Sequence, residues 1–153
     1  MLDHVLGLGA LLVTGMKPDT PPFSPLPPLC DTGRRDHGRS MFALSGPLNY
    51  ATSVIRVHVP AGAETDLASI PRMLRHLLWL DGPYCRAAIV HDYLYGCGGC
   101  SRFLADAVLR QAMADLRVPV WCRILVFYSV RLFGWLRYAK AQKALQRWGP
   151  QLC

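Results

Sequence analysis

Acidic side chains are scarce in this chain, ten against seventeen Lys and Arg, and from Leu116 to Cys153 there is none at all. That last stretch carries Arg117, Arg123, Arg131, Arg137, Lys140, Lys143 and Arg147. Such a segment favours an anionic neighbour, whether a phospholipid surface, nucleic acid or an acidic protein face, with a solvated helix face as the plainer alternative. Residues 1–60 are nearly balanced, so the +7 net charge is concentrated elsewhere. Long uninterrupted apolar runs are lacking too. Val5 to Gly15 is too short to span a bilayer as a helix, and it follows Asp3 rather than a basic region, so it is not expected to be a targeting segment. Val118 to Tyr138 is longer but is interrupted by Arg123, Arg131 and Arg137, which predicts a core or interfacial helix rather than a membrane span. Cys97-Gly98-Gly99-Cys100 has no second Cys pair or nearby His to complete a zinc tetrad. Most of the six thiols are expected to be reduced, with Cys85 and Cys122 as small core residues and a Cys97–Cys100 disulfide as an open alternative. No internal repeat is visible.

What is present is enough apolar side chain, 52% over 153 residues, for one domain with a proper core. Residues 1–40 read as an extended N-terminal arm, rich in proline at 18, 21, 22, 25, 27 and 28, held by another chain. Residues 41–153 read as a single α+β domain: a small antiparallel β-hairpin or meander, then a mainly helical core of four helices. The strands are Phe42 to Tyr50 and Ser53 to Val59, the second placing Val54, Arg56 and His58 on one face and Ile55, Val57 and Val59 on the other. Ser69, with Pro71 in the first turn, opens a helix to about Leu80. A second helix runs from about Tyr84 to Tyr95 and ends at Gly96. A third, capped by Ser101, runs to about Arg117, and a long basic fourth runs from about Val120 to Trp148.

The chemistry-bearing residues fall on the second and third helices. His91 and Tyr95 lie four apart and share a face, while Asp92 is rotated by about 100°. Ala87 and Ala88 allow another helix to come close. On the third helix Phe103, Asp106, Leu109, Met113 and Leu116 form one stripe, which puts the Asp106 carboxylate on the buried face. An unpaired buried carboxylate is costly, so Asp106 needs a partner, and His91 is the natural one. This constellation supports two readings. Asp106 could fix the tautomer of His91, whose other nitrogen takes a proton from water, while Asp92 holds a divalent cation. Alternatively, the same residues form a structural network tying two helices together. Asp66, between the strands and the first helix, either caps that helix or supplies a second carboxylate to the cation site.

Two resemblances attach to these residues. His91-Asp92-x-x-Tyr95 followed by Asp106 resembles the His-Asp-x-x-Tyr signature of phospholipases A2. That resemblance implies His91 as the base that activates water, Asp92 as a calcium ligand, and Tyr95 and Asp106 as supports of the histidine. The glycine-rich calcium loop of those enzymes has no clear counterpart before His91. A longer match covers roughly residues 42–135. It runs through Val59-Pro60-Ala61-Gly62, Thr65-Asp66-Leu67-Ala68-Ser69-Ile70-Pro71-Arg72, Ala87 to Tyr95, Ala105-Asp106, Ala112-Met113 and Arg131-Leu132-Phe133-Gly134. It is similar to an uncharacterised family of tailed phages and prophages (domain of unknown function 1353). That resemblance implies a phage gene product. The expectation is a virion-associated structural protein in a multi-subunit assembly, a minor tail, neck or portal-proximal component docking other virion proteins through residues 1–40. It would occupy the virion, and the host cytoplasm before assembly. The alternative is a calcium-assisted hydrolase of membrane or envelope esters.

Overall fold

The computed structural model of the chain describes residues 21–36, 39–65, 67, 84–97 and 100–148. Five strands come first: β1 (Leu29–Asp36), β2 (Arg39–Leu44), β3 (Leu48–Ala51), β4 (Arg56–Val59) and β5 (Glu64–Thr65). Three helices follow: α1 (Tyr84–Gly96), α2 (Arg102–Asp115) and α3 (Val120–Trp148). The class is therefore α+β, a small antiparallel sheet region leading into helices. The helix expected at about Ser69–Leu80 lies outside the described residues.

The β region is two small sheets. β1, β2 and β5 form one, in the order β1-β2-β5, and β3 pairs with β4 in the other. The single strand expected from Phe42 to Tyr50 is broken at Ser45-Gly46-Pro47, where proline has no N–H to donate to a ladder. Alternation in β4 holds as read: Val57 and Val59 are buried while Arg56 and His58 face out. β1 carries a bulge between Asp31 and Arg35, and Gly33 takes the positive φ of 68° that the extra residues require.

The free-arm reading is corrected from residue 21 onward. Phe23 is buried, its ring 4.5 Å from that of Tyr50. The Ala51 amide donates to the Pro22 carbonyl (2.8 Å), and the Ser24 amide to the Asn49 carbonyl (3.0 Å). Proline excludes this segment from a helix, but its extended form lies naturally along the open edge of β3, and β1 then joins β2. Residues 1–20 lie outside the described residues.

α1 sits at the centre. Nine of its residues are buried, and it packs against α2, α3, β3, β4 and β5. Ala87 and Ala88 are fully enclosed, which permits the close approach their size suggests, while Ile89, Val90 and Leu94 supply apolar burial of about 1.5–3 kcal/mol each. α2 starts where Ser101 caps it, the hydroxyl accepting from the Leu104 amide at 3.2 Å. Its stripe departs from expectation at one end: Asp106, Leu109 and Met113 are buried, but Phe103 is 70% exposed. The α2 C-terminus is tied to the sheet by the Tyr50 hydroxyl, which donates to Asp115 Oδ2 at 2.7 Å. Burial and that carboxylate both raise the pKa of the Tyr50 phenol. Cys85 and Cys122 are buried in the core, as read. Cys97 is disulfide-bonded while Cys100 is free, so a Cys97–Cys100 bridge is excluded.

Candidate functional site

Asp106 is the hub of the helical half. It lies on the first turns of α2 with no solvent exposure, and side chains from all three helices converge on its carboxylate. From α1, His91 Nε2 lies 2.9 Å from Oδ1, and the Tyr95 hydroxyl donates to the same oxygen at 2.5 Å. From α3, Arg131 Nη1 donates to Oδ2 at 3.0 Å. On α2 itself, one turn earlier, Arg102 Nε stands 3.9 Å from Oδ2. Burial alone would raise the pKa of Asp106, but the hydrogen bonds from His91, Tyr95 and Arg131 outweigh it and hold the carboxyl below its ordinary value. The group is therefore a carboxylate, an acceptor only, and Nε2 of His91 must carry the proton it donates. Nδ1 is then the nitrogen that would act as a base in any proton abstraction.

The cross-linking is reciprocal. While Arg131 of α3 reaches Asp106, Arg102 of α2 donates through Nη2 to the Val130 carbonyl at 3.0 Å and to the Arg131 carbonyl on α3. Arg131 also lies over the Phe103 ring, 5.9 Å from its centroid. Gly134 completes the packing: a Cβ there would come 3.1 Å from the Tyr95 hydroxyl oxygen, so the absence of a side chain leaves room for the phenol. The Tyr95 ring packs against that of His91 at 4.1 Å, tilted by 46°, and meets Tyr138 edge-on at 5.3 Å. Tyr138 in turn donates to the Cys100 carbonyl at 3.0 Å.

Asp92 points elsewhere, as its rotation on the helix requires. Its Oδ2 accepts from the Thr65 hydroxyl at 2.6 Å, and the same Thr65 oxygen accepts from the Leu67 amide at 3.1 Å. The Thr65 hydroxyl thus links β5 directly to α1, and Leu67, just after the strand, takes a left-handed φ of 49°. Nearby, the Tyr84 hydroxyl is buried with no hydrogen-bond partner among the described residues. Its pKa is raised by burial, then by the negative charge of Asp92 and by Cys85.

His91, Tyr95 and Asp106 are therefore brought together, and Asp92 stands beside them on α1 in a separate contact. Asp66 lies outside the described residues. Sequence reasoning missed three members of this arrangement: Arg131, Arg102 and Thr65. The arginine interrupting an apolar run at 131 was the available signal for the first. Thr65 sits beside Asp66 in the same motif. As for the calcium that the phospholipase resemblance implies, such an ion takes six to eight oxygens. Among the described residues no three His, Cys, Asp or Glu converge to hold one, and Asp92 already accepts from Thr65. The described donor set does not fit calcium.

The model of the family described as Protein of unknown function (DUF1353) matches residues 42–130, more than half of the chain, and the chain belongs to that family. The match takes in Thr65, His91, Asp92, Tyr95, Arg102 and Asp106 and stops one residue short of Arg131. No curated protein and no solved structure matches the chain.

Proposed function

We propose that this member of the DUF1353 family is a structural component of a bacteriophage particle, and that its His91–Asp106 centre is an internal cross-link rather than a catalytic site. The observation that carries the structural reading is the closure of that centre. His91 is 1% exposed and Asp106 fully buried, and the carboxylate, itself on α2, takes its hydrogen bonds from α1 and α3. A group that activates water needs water to reach it. A buried polar network centred on one carboxylate instead makes the relative positions of α1, α2 and α3 specific, since loss of one member leaves the others costly. The phage assignment rests on the resemblance of residues 42–135 to tailed-phage and prophage proteins. Docking to other virion proteins within a multi-subunit assembly, the role expected of residues 1–40, is kept in the proposal for residues 1–20, because residues 21–36 pack on the chain's own strands. The test is mass spectrometry of purified particles from a phage or induced prophage that encodes the chain. The protein should be recovered in fixed ratio to known particle proteins, and particles lacking its gene should be incomplete. Its absence from particles that form normally would overturn the assignment.

A second reading has one specific observation in its favour. The Nε2 of His91 and the hydroxyl of Tyr95 share one oxygen of Asp106, which is the supporting arrangement that the phospholipase signature implies. On that reading His91 Nδ1 takes a proton from the attacking water, and Asp106 and Tyr95 orient the ring. The reading requires esterase activity that depends on His91.

A further inference from the structure

We infer that the outward face of α3 docks on an anionic lipid surface. Cys122, Val126 and Val130, spaced four apart, form the stripe that α3 buries against the domain. The opposite face is equally apolar and is exposed. Trp121, Tyr128 and Trp135 stand seven residues apart, so they line up in one row about 21 Å long, each more than half exposed. Ile124, Leu125 and Leu132 fill the spaces between them and are also exposed. A contiguous patch of this extent is larger than ordinary surface scatter and marks an interaction surface.

Charge decides the occupant. α3 carries six basic residues and no acidic one, and with Arg131 engaged by Asp106 the other five would still bring like charge against like charge if a second copy of α3 docked there. Nucleic acid would satisfy the charge, but a phosphodiester backbone offers nothing to Ile124, Leu125 and Leu132. An anionic bilayer satisfies both: aliphatic side chains enter the acyl boundary, Trp and Tyr sit at headgroup level, and Lys and Arg meet lipid phosphates. No helix among the described residues is long and apolar enough to cross a membrane, so α3 lies on the surface rather than through it. The inference is independent of the particle reading, because it concerns a face on the other side of α3 from the buried stripe.

The experiment is flotation of the full chain with vesicles of phosphatidylcholine alone, or of equal parts phosphatidylcholine and phosphatidylglycerol, at low and high salt. Sedimentation velocity without lipid and binding to duplex DNA are measured alongside. The protein should float with the phosphatidylglycerol vesicles, and less so at high salt. The paired substitution Leu132→Asp with Trp135→Asp should weaken that binding about tenfold or more, and Leu125→Ser with Tyr128→Ser should act in the same direction. Both variants should keep the parent melting temperature, since these side chains are exposed. Three results would overturn the inference: no flotation with anionic vesicles, flotation that neither variant weakens, or a concentration-dependent dimer or DNA complex that the variants abolish while vesicles are ignored.

Discussion

Truncating Asp106 to alanine removes the acceptor of three side-chain hydrogen bonds at once, and the geometry sets the cost. His91 and Tyr95 are sealed from solvent, so water cannot replace the acceptor each loses, at about 1–3 kcal/mol apiece. Arg131 is different: its side chain is 37% exposed, so it can recover water and adds little. Removing one member of a buried charged network costs about 3–5 kcal/mol in general, which agrees with this sum. A chain of this size shifts its melting temperature by roughly 2–4 °C per kcal/mol, so Asp106→Ala should melt at least about 6 °C below the parent. Asp106→Asn keeps one carbonyl acceptor and should fall between the two. Thermal unfolding followed by circular dichroism at neutral pH measures all three proteins. An Asp106→Ala protein melting within about 2 °C of the parent would refute the hub, because the sealed donors would then have found other partners.

Gly134→Ala places a methyl group 3.1 Å from the Tyr95 hydroxyl oxygen and 3.3 Å from Val130 Cγ1, and should cost about 1–2 kcal/mol in a urea titration; in a Tyr95→Phe background the part owed to the hydroxyl should vanish, and additivity of the two would count against that contact. The pH dependence follows from the depressed carboxyl of Asp106: its stabilisation is present above the ordinary aspartate value of 3.8 and is lost as pH falls through the lower folded value. Acid titration of the melting temperature should therefore show a steeper loss below about pH 4 for the parent than for Asp106→Asn. Thr65→Val removes the donor to Asp92 and should lower stability by about 1 kcal/mol, read by the same titration; no change would mean that Asp92 does not depend on Thr65.

The helices were legible because their ends are marked locally: Gly96 closes α1, Ser101 caps α2, and Val118-Pro119 separates α2 from α3. The pairing of His91 with Asp106 was legible for the same reason. A short connection between two helices makes them neighbours, and a carboxylate on a buried stripe demands a donor. Arg131 was not, since it reaches Asp106 from another helix and its own neighbours show only an apolar run with one charge. β1 escaped because Leu29 to Asp36 has no alternating apolar face; it becomes a strand by pairing with β2, a tertiary cause. Proline at 21, 22, 25, 27 and 28 argued against a helix correctly, but it says nothing about whether an extended segment lies on its own sheet or another's.

The most direct test of the central claim compares the parent with His91→Ala in two assays on the same preparations: thermal unfolding, and hydrolysis of phospholipid and simple ester substrates with and without calcium. If His91 is part of a structural cross-link, the parent hydrolyses neither substrate above background, and the variant is destabilised by about 1–3 kcal/mol because Asp106 loses a buried partner. Hydrolysis by the parent that falls ~100-fold or more in a His91→Ala protein of unchanged stability would contradict the account and make His91 a general base.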